Sequence, residues 1–280
     1  MRDRGDLTAR VWVANCFSPV TVSSVVLTPG VPGYPVRLAA LGWSRMLHVR
    51  GTLSEAPAVA IVGARAASRL GMERAHAAAR HLADRGTRVV SGGALGIDGA
   101  AHRGALASTT VVLGSGVDVA YPARHADLFD QILASGGALA SLLPDGTQPR
   151  RGTFPQRNPL IAALADVIVV VEAELRSGSL STARAARELG RVVVAYPGSR
   201  GCDRLLATGA GIAEGPEDVV SALAGAPRMP GAHAHELDSE LERIRQAAKA
   251  GIRGVDALVE ATGLPVRAVL RALPLIERYS

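Results

Sequence analysis

Lysine is almost missing from this chain. Of its 31 basic residues all but Lys249 are Arg, a bias that codon usage in a GC-rich genome explains. The net charge of +6 needs a separate cause. Aromatics make up only 3% of the residues, so a core has to be built from Val, Leu, Ile and Ala. Cys16 and Cys202 are the only cysteines. Two cysteines make no disulfide framework and fit a reducing compartment, the cytoplasm by default. Long apolar runs are also lacking. The one after MRDRGD is broken by Asn15, Ser18 and Pro19, which argues against a signal peptide and a membrane span. There are no internal repeats.

Hydrophobic residues supply 48% of the 280 positions, enough for a large domain and a small one. A pI of about 10.1 favours a polyanionic partner. Residues 1–52 are poorly patterned, apart from a Pro/Gly-rich turn region over Pro29–Pro35 and a short strand expected over Met46–Arg50. From Pro57 on, apolar strands such as Val59–Val62, Arg88–Val90, Thr110–Leu113, Val167–Val171 and Val192–Ala195 alternate with helical stretches. That alternation implies an α/β fold, a parallel sheet covered on both faces by helices. The strands end in Gly63, Gly92, Gly114 and Pro197–Gly198, so the glycines converge on the carboxyl edge, where open α/β sheets bind ligands. The expected domains are 53–223, a linker over 224–238, and a small helical domain over 239–280. In the last, Val255–Ala261 and Pro265–Leu273 flank the turn Thr262–Gly263–Leu264 at helix-turn-helix spacing.

Several segments carry candidate chemistry. Ser91–Leu106, SGGALGIDGAAHRGAL, reads as a strand end, a tight glycine loop and a helix. Gly92, Gly93 and Gly96 free the backbone for positive φ and for a close ligand. Amides at the helix start suit an anion, most often a phosphate. In Gly63–Gly71, GARAASRLG, Gly63 turns the chain, Arg65 is a cation beside the turn and Ser68 caps the next helix. The spacing is not the dinucleotide fingerprint, and a plain strand–helix turn explains it equally well. Arg150–Asn158, RRGTFPQRN, is expected in a long loop ahead of a helix. Its Arg residues around Phe154 match the cations and stacking face that single-stranded nucleic acid needs. A surface charge run with Phe154 in the core is the other reading. In Arg176–Thr182, RSGSLST, Ser177, Gly178, Ser179 and Thr182 form a second anion nest with Arg176 as counter-charge. Asp98 and His102 have acid–base spacing, yet no nucleophile or second carboxylate joins them. The favoured role is structural, Asp98 capping loop amides and His102 packing with it. His102 has no evident metal partners.

In order and spacing these segments resemble the DprA/Smf family of DNA-processing proteins. The resemblance runs from Val59 to Ala210 through VAIVGARAASRLG, VVSGGALGIDGAAHRGAL, VVLGSGVDVAYP, FPQRN–LIAAL, VVVEAELRSGSLSTA and AYPGS–GCDRLLATGA. It implies an extended Rossmann-like domain that binds single-stranded DNA, forms a homodimer and helps load the RecA recombinase in transformation, with no catalysis, cofactor or metal. It also implies a DNA groove lined by Gly63, Arg65, Ser68, Gly92, Gly93, Gly96, Asp98, Phe154, Arg157, Asn158, Arg176, Ser177, Gly178, Ser179 and Thr182. Arg65, Arg157 and Arg176 would meet phosphates, Phe154 a base, and the glycine loops would offer N–H groups.

The chain departs from the family pattern at Leu95 and Pro159, where basic residues are common, at Gly93, where Leu is usual, and at Asp203, where Asn is usual. Losing two cations lowers affinity and flattens its salt dependence. No helical N-terminal domain of the family's kind is evident in Met1–Thr52. The C-terminal helices resemble the family's small winged-helix domain, and with Ser280 soon after the second helix a full wing hairpin is not expected in this sequence. Two other classes compete. One is a Rossmann-like enzyme of phosphoribohydrolase type, whose PGGxGTxxE motif carries a catalytic Glu; here the helix reads SGSLSTARAA and lacks it. The other is a degenerate protein-binding adaptor.

Overall fold

Uninterrupted Val, Ile and Ala runs fold here as strands buried on both faces. The computed structural model describes residues 24–150, 152–230, 242–266 and 269–270. Its strands are β1 (Val25–Leu27), β2 (Leu47–Gly51), β3 (Ala58–Val62), β4 (Arg88–Gly92), β5 (Thr109–Leu113), β6 (Ala138–Ser141), β7 (Val167–Val170), β8 (Val192–Ala195) and β9 (Gly211–Ile212). The helices are α1 (Val36–Ala40), α2 (Arg69–Ala83), α3 (Ile97–Gly104), α4 (Ala126–Ala134), α5 (Thr153–Ala163), α6 (Gly178–Glu188), α7 (Arg200–Ala207), α8 (Pro216–Leu223), α9 (residues 242–249) and α10 (Val255–Thr262).

One nine-stranded sheet has the order β1-β2-β6-β5-β4-β3-β7-β8-β9. Strands β3 to β9 run parallel, while β1 and β2 are antiparallel additions beyond β6. Side chains alternate across a strand, and this divides the core into layers. Ala60, Val62, Val90, Ile168 and Val170 pack on the face of α1, α5, α6 and α7. Val59, Ile61, Val89, Val167 and Val169 pack on α2, α3 and α8, and Val111, Leu113 and Leu139 pack on α4. The doubly covered parallel sheet expected from the sequence is present.

Two expectations need correction. The segment read as poorly patterned supplies β1 and α1 as well as the expected short strand, β2, and the sheet runs across the boundary placed at 52/53. These pieces are short and separated by a Pro/Gly turn, so they carry little periodicity. Leu38 anchors them in the core, and the Tyr34 hydroxyl donates to the Arg45 carbonyl at 2.9 Å. The second correction concerns Phe154–Asn158, which is not loop but the first turns of α5. Pro155 falls in the first turn, where an N–H has no partner to lose. Pro159 is inside the helix, and the buried run Leu160–Ala163 holds α5 against the sheet.

Residues 224–230, expected as linker, fold back on the domain: the Ile212 N–H donates to the Arg228 carbonyl at 2.7 Å, and Arg228 pairs with Glu214 at 2.6 Å. The remainder of the linker, with His233 and His235, lies outside the described residues, as do Met1–Ser23 and residues 271–280. Toward the C-terminus Ile244, Leu258, Leu264 and Val269 form a separate small core, and Gly263 closes α10 in the left-handed region at φ 63°. Among the described residues no helix is long and apolar enough to cross a membrane.

Ile168 is fully buried at the centre of β7. Ile168→Ala is expected to cost about 2–5 kcal/mol, read as a lower urea midpoint at unchanged slope. Val26→Ala on the exposed edge strand is expected to cost under about 0.5 kcal/mol.

Candidate functional site

The chain winds outward from β3 through β6, then returns to the other side of β3 for β7 to β9. That reversal makes β3/β7 the switch point of the sheet, with the loops after β3, β4, β5, β7 and β8 on one edge. Glu172, just past β7, holds the switch together. Its carboxylate accepts from the Ser68 N–H at 3.1 Å and from the Ser68 hydroxyl at 2.6 Å. Its carbonyl accepts from the Ala64 N–H at 2.7 Å. Ser68 also accepts from the Gly71 N–H at 3.0 Å, as the cap of α2. Ser68 therefore acts through the shape of the Gly63–Ser68 loop. Glu172 was legible only as the polar end of a strand.

The glycine loop after β4 works differently from the expectation. Only Gly96 takes positive φ, at 76°. Gly92 is required for space, because a Cβ there would collide with the guanidinium of Arg157. At Gly93 it would come within 2.9 Å of Leu113, and at Gly63 within 2.5 Å of Ile97. The loop is fastened from beneath by two histidines. His102 Nε2 donates to the Gly92 carbonyl at 2.8 Å and His125 Nδ1 to the Gly93 carbonyl at 3.1 Å. His102 Nδ1 faces the Thr109 hydroxyl at 2.7 Å, so both ring nitrogens are occupied and His102 does not pair with Asp98. Asp98 accepts from the Ala94 N–H at 3.3 Å, which is the loop-capping role.

From α5, Arg157 reaches under this loop. Its guanidinium lies 3.9 Å from Asp98, with side-chain exposures of 9% and 7%, and Nε and NH1 are buried without an acceptor. Burial raises the Asp98 carboxyl and the Arg157 charge opposes it. Burial likewise lowers Arg157, opposed by Asp98. Above the pair opens a cleft of about 100 Å³ bordered by Arg65, Leu95, Leu113, Tyr121 and Phe154. The Arg65 guanidinium sits 5.3 Å from the centre of the Phe154 ring, and the Tyr121 ring lies 5.4 Å from it, tilted by 41°. Tyr121 went unassigned from sequence, although it lies in the segment after β5 that opens on the same edge.

Next to Arg157, Asn158 donates to Ser181 at 2.6 Å and to the Gly178 carbonyl at 3.3 Å, tying α5 to the start of α6. Ser177 caps that helix and its hydroxyl lies 2.7 Å from that of Ser179. Arg176 is exposed ahead of them. Thr182 is buried, at 2% exposure, and presents no hydroxyl to the surface. The structure thus joins Arg65, Gly93, Phe154 and Arg157 in one cleft, with Gly92 and Asp98 against Arg157 and Gly96 against the backbone of Arg65. Asn158 and Ser177–Ser179 lie in a neighbouring nest, with Ser68 at the switch point. Among the described residues no cluster of His, Cys, Asp and Glu is arranged to hold a metal.

A switch-point edge with an arginine- and aromatic-lined cleft on a doubly covered sheet defines an extended Rossmann-like protein. Residues 25–224 match DNA recombination-mediator protein A, and the chain belongs to that family, which groups DNA-processing proteins of the DprA/Smf type. It is 44% identical over 262 residues to the DNA processing protein DprA of Mycobacterium tuberculosis, covering 87% of this chain and 65% of the relative, so it spans just under two thirds of that protein's length. To protein Smf of Escherichia coli it is 37% identical over 263 residues, covering 87% of this chain and 70% of the relative. The crystal structure of DNA processing protein A from Streptococcus pneumoniae superposes with TM-score 0.66 at 36% identity, over 71% of this chain and 74% of that one. The protein from Helicobacter pylori superposes with TM-score 0.65 at 30% identity, over 71% and 96%. That structure was described for its single-stranded DNA binding mode.

Burial holds His102 down to about 4 from 6.5, partly offset by its bond to Gly92. Between these values the unfolded chain binds a proton that the folded chain does not. Stability is therefore full above pH 6.5 and falls as pH drops toward 4, by about 3 kcal/mol from this group. His102→Asn is expected to remove about one proton from that dependence, measured by urea unfolding at pH 7, 6, 5 and 4.

Proposed function

We propose that this protein binds single-stranded DNA along the carboxyl edge of its sheet and acts without catalysis as a recombination mediator. The carrying observation is the Arg65–Phe154 stack at the mouth of the cleft: a cation and an aromatic face set side by side serve a strand's phosphate and base together. Exposed Arg65 and Arg176 take phosphates, and the amides of the Gly92–Gly96 loop and the α6 start add donors. Phe154 offers a base its face. Asp98, Asn158, Ser68, Gly63 and Thr182 hold these elements in place. The H. pylori relative's single-strand binding supports the same assignment here. Loading of RecA, a homodimeric state, a cytoplasmic setting and a winged-helix-like role for the helices beyond 239 complete the reading. A duplex presents its bases stacked and paired, so a groove that uses base faces selects the single strand.

Fluorescence anisotropy with labelled oligo-dT and a matched duplex, at two salt concentrations, tests this reading. Tighter binding to the single strand, weakened by salt, is expected, with Arg157→Ala and Arg176→Ala each reducing affinity. Equal binding of both forms, or indifference to both substitutions, rejects it. The start of α6 carries no catalytic Glu, so incubation with nucleoside monophosphates is expected to release no ribose 5-phosphate; measurable turnover would favour a phosphoribohydrolase instead.

A further inference from the structure

We propose that the outer face of α6 and α7 is a second contact surface for single-stranded DNA, a track of unpaired arginines that holds the sugar–phosphate chain after it leaves the carboxyl edge. This rests on the single-strand reading above and assigns where the nucleic acid goes next.

The contrast between the two helix layers is the first argument. Codon usage explains why this chain carries Arg in place of Lys, but not which arginines are neutralised. On the α2 and α8 face they are. Arg69 pairs with Glu73 at 2.7 Å, Arg80 with Asp84 at 3.9 Å and Arg85 with Glu217 at 3.2 Å. On α6 and α7 the balance is different. Residues 176–204 hold six basic residues, Arg176, Arg184, Arg187, Arg191, Arg200 and Arg204, against two acids, Glu188 and Asp203. The Asp203 carboxylate is turned to the loop before α7, where it accepts from the Gly198 N–H at 2.9 Å. Arg184, Arg187 and Arg204 are exposed, and among the described residues none of them forms an ion pair. Like charges gathered on one surface repel, and a polyanion laid along them removes that cost.

Continuity is the second argument. Helix α6 follows β7, so it starts at the carboxyl edge beside Arg176 and the Ser177–Ser179 nest and runs away from that edge. At 1.5 Å per residue, Arg184 lies about 9 Å and Arg187 about 14 Å along the helix from Gly178. Three residues apart, they share a face. Arg187 then reaches across to α7, donating to the Thr208 hydroxyl at 3.2 Å and to the Leu205 carbonyl at 3.3 Å. The Thr208 hydroxyl in turn donates to the Arg204 carbonyl at 2.9 Å, so Arg184, Arg187 and Arg204 belong to one surface. It ends near Arg191, where Asp166 and Glu55 line the same groove.

The third argument is what this surface omits. Tyr196 is the one aromatic in residues 176–204, and it is 1% exposed. Nothing on the track can stack on a base, so the contact is to phosphates and carries no sequence preference. An oligonucleotide long enough to occupy both the edge and the track gains affinity because the second contact is intramolecular.

Anisotropy with oligo-dT of about 6 and about 20 nucleotides, below and above a common site size, tests this. With the unaltered protein the long oligonucleotide is expected to show the steeper slope of log affinity against log salt. Arg184→Gln combined with Arg204→Gln is expected to lower that slope by about 1.4, two single-strand phosphates, and to leave the short oligonucleotide unaffected. From about 50 to about 200 mM salt, long-oligonucleotide affinity is then expected to fall about sevenfold less in the variant than in the unaltered protein. Arg69→Gln combined with Arg80→Gln removes the same charge from the paired layer and is expected to change neither oligonucleotide. All four side chains are exposed, and thermal unfolding is expected to stay unchanged in both variants. Equal losses from the two double variants make the effect one of net charge and overturn the proposal. Equal weakening of the short oligonucleotide assigns Arg184 and Arg204 to the edge and overturns it too. Unchanged binding of the long oligonucleotide, with single strand still preferred over duplex, overturns the track, leaves the single-strand reading standing and turns these arginines toward an acidic protein partner. Failure of the unaltered protein to bind either oligonucleotide would reject both.

Discussion

The carboxyl edge is organised around a guanidinium that fills the space a side chain at Gly92 would need. Arg157 can lie there because β4 ends in a residue with no Cβ and because Asp98 lies opposite to balance its charge. A buried cation alone would be expelled, and a buried carboxylate alone would take up a proton. Together they fix α5 against the β4 loop. One residue on, and about 100° around the helix, Asn158 bonds to the start of α6. Two consecutive side chains of one helix thereby connect the β4 side of the edge to the β7 side.

Where the chain obeyed simple periodicity, its fold was open to inspection. Val167–Val171 and Val59–Val62 could only be strands buried on both faces, and their alternation with Ala-rich helices implied the parallel sheet. In the first 52 residues Met46–Arg50 was legible as a strand, but β1 resisted because it is three residues long and pairs antiparallel at an edge, where pairing depends on the partner strand more than on local pattern. The run from Arg150 to Asn158 misled for a related reason. Charge, glycine and a proline read as loop, but a first-turn Pro is compatible with a helix, and the apolar stretch after it sets the register.

Within the site, residue types that announce their chemistry were found: glycines, arginines, a phenylalanine and capping serines. Their division of labour was not. Ser68 and Asn158 turn out to be spent on Glu172 and Ser181, and Thr182 on the core. Gly92 serves volume rather than backbone freedom. Such distinctions depend on which side chains meet across 23 to 104 positions of sequence, and no local motif encodes that. Tyr121 escaped notice for the same reason: its partner Phe154 lies on a different element.

The two imidazoles under the glycine loop have one more consequence. Glycine-rich loops usually trade rigidity for access, and a ligand that orders them gives up affinity to lost chain entropy. Here the carbonyls of Gly92 and Gly93 are already held by neutral His102 and His125, so the loop is preorganised before anything binds. For the ligand proposed above, this removes part of the ordering cost that a loose glycine loop would add.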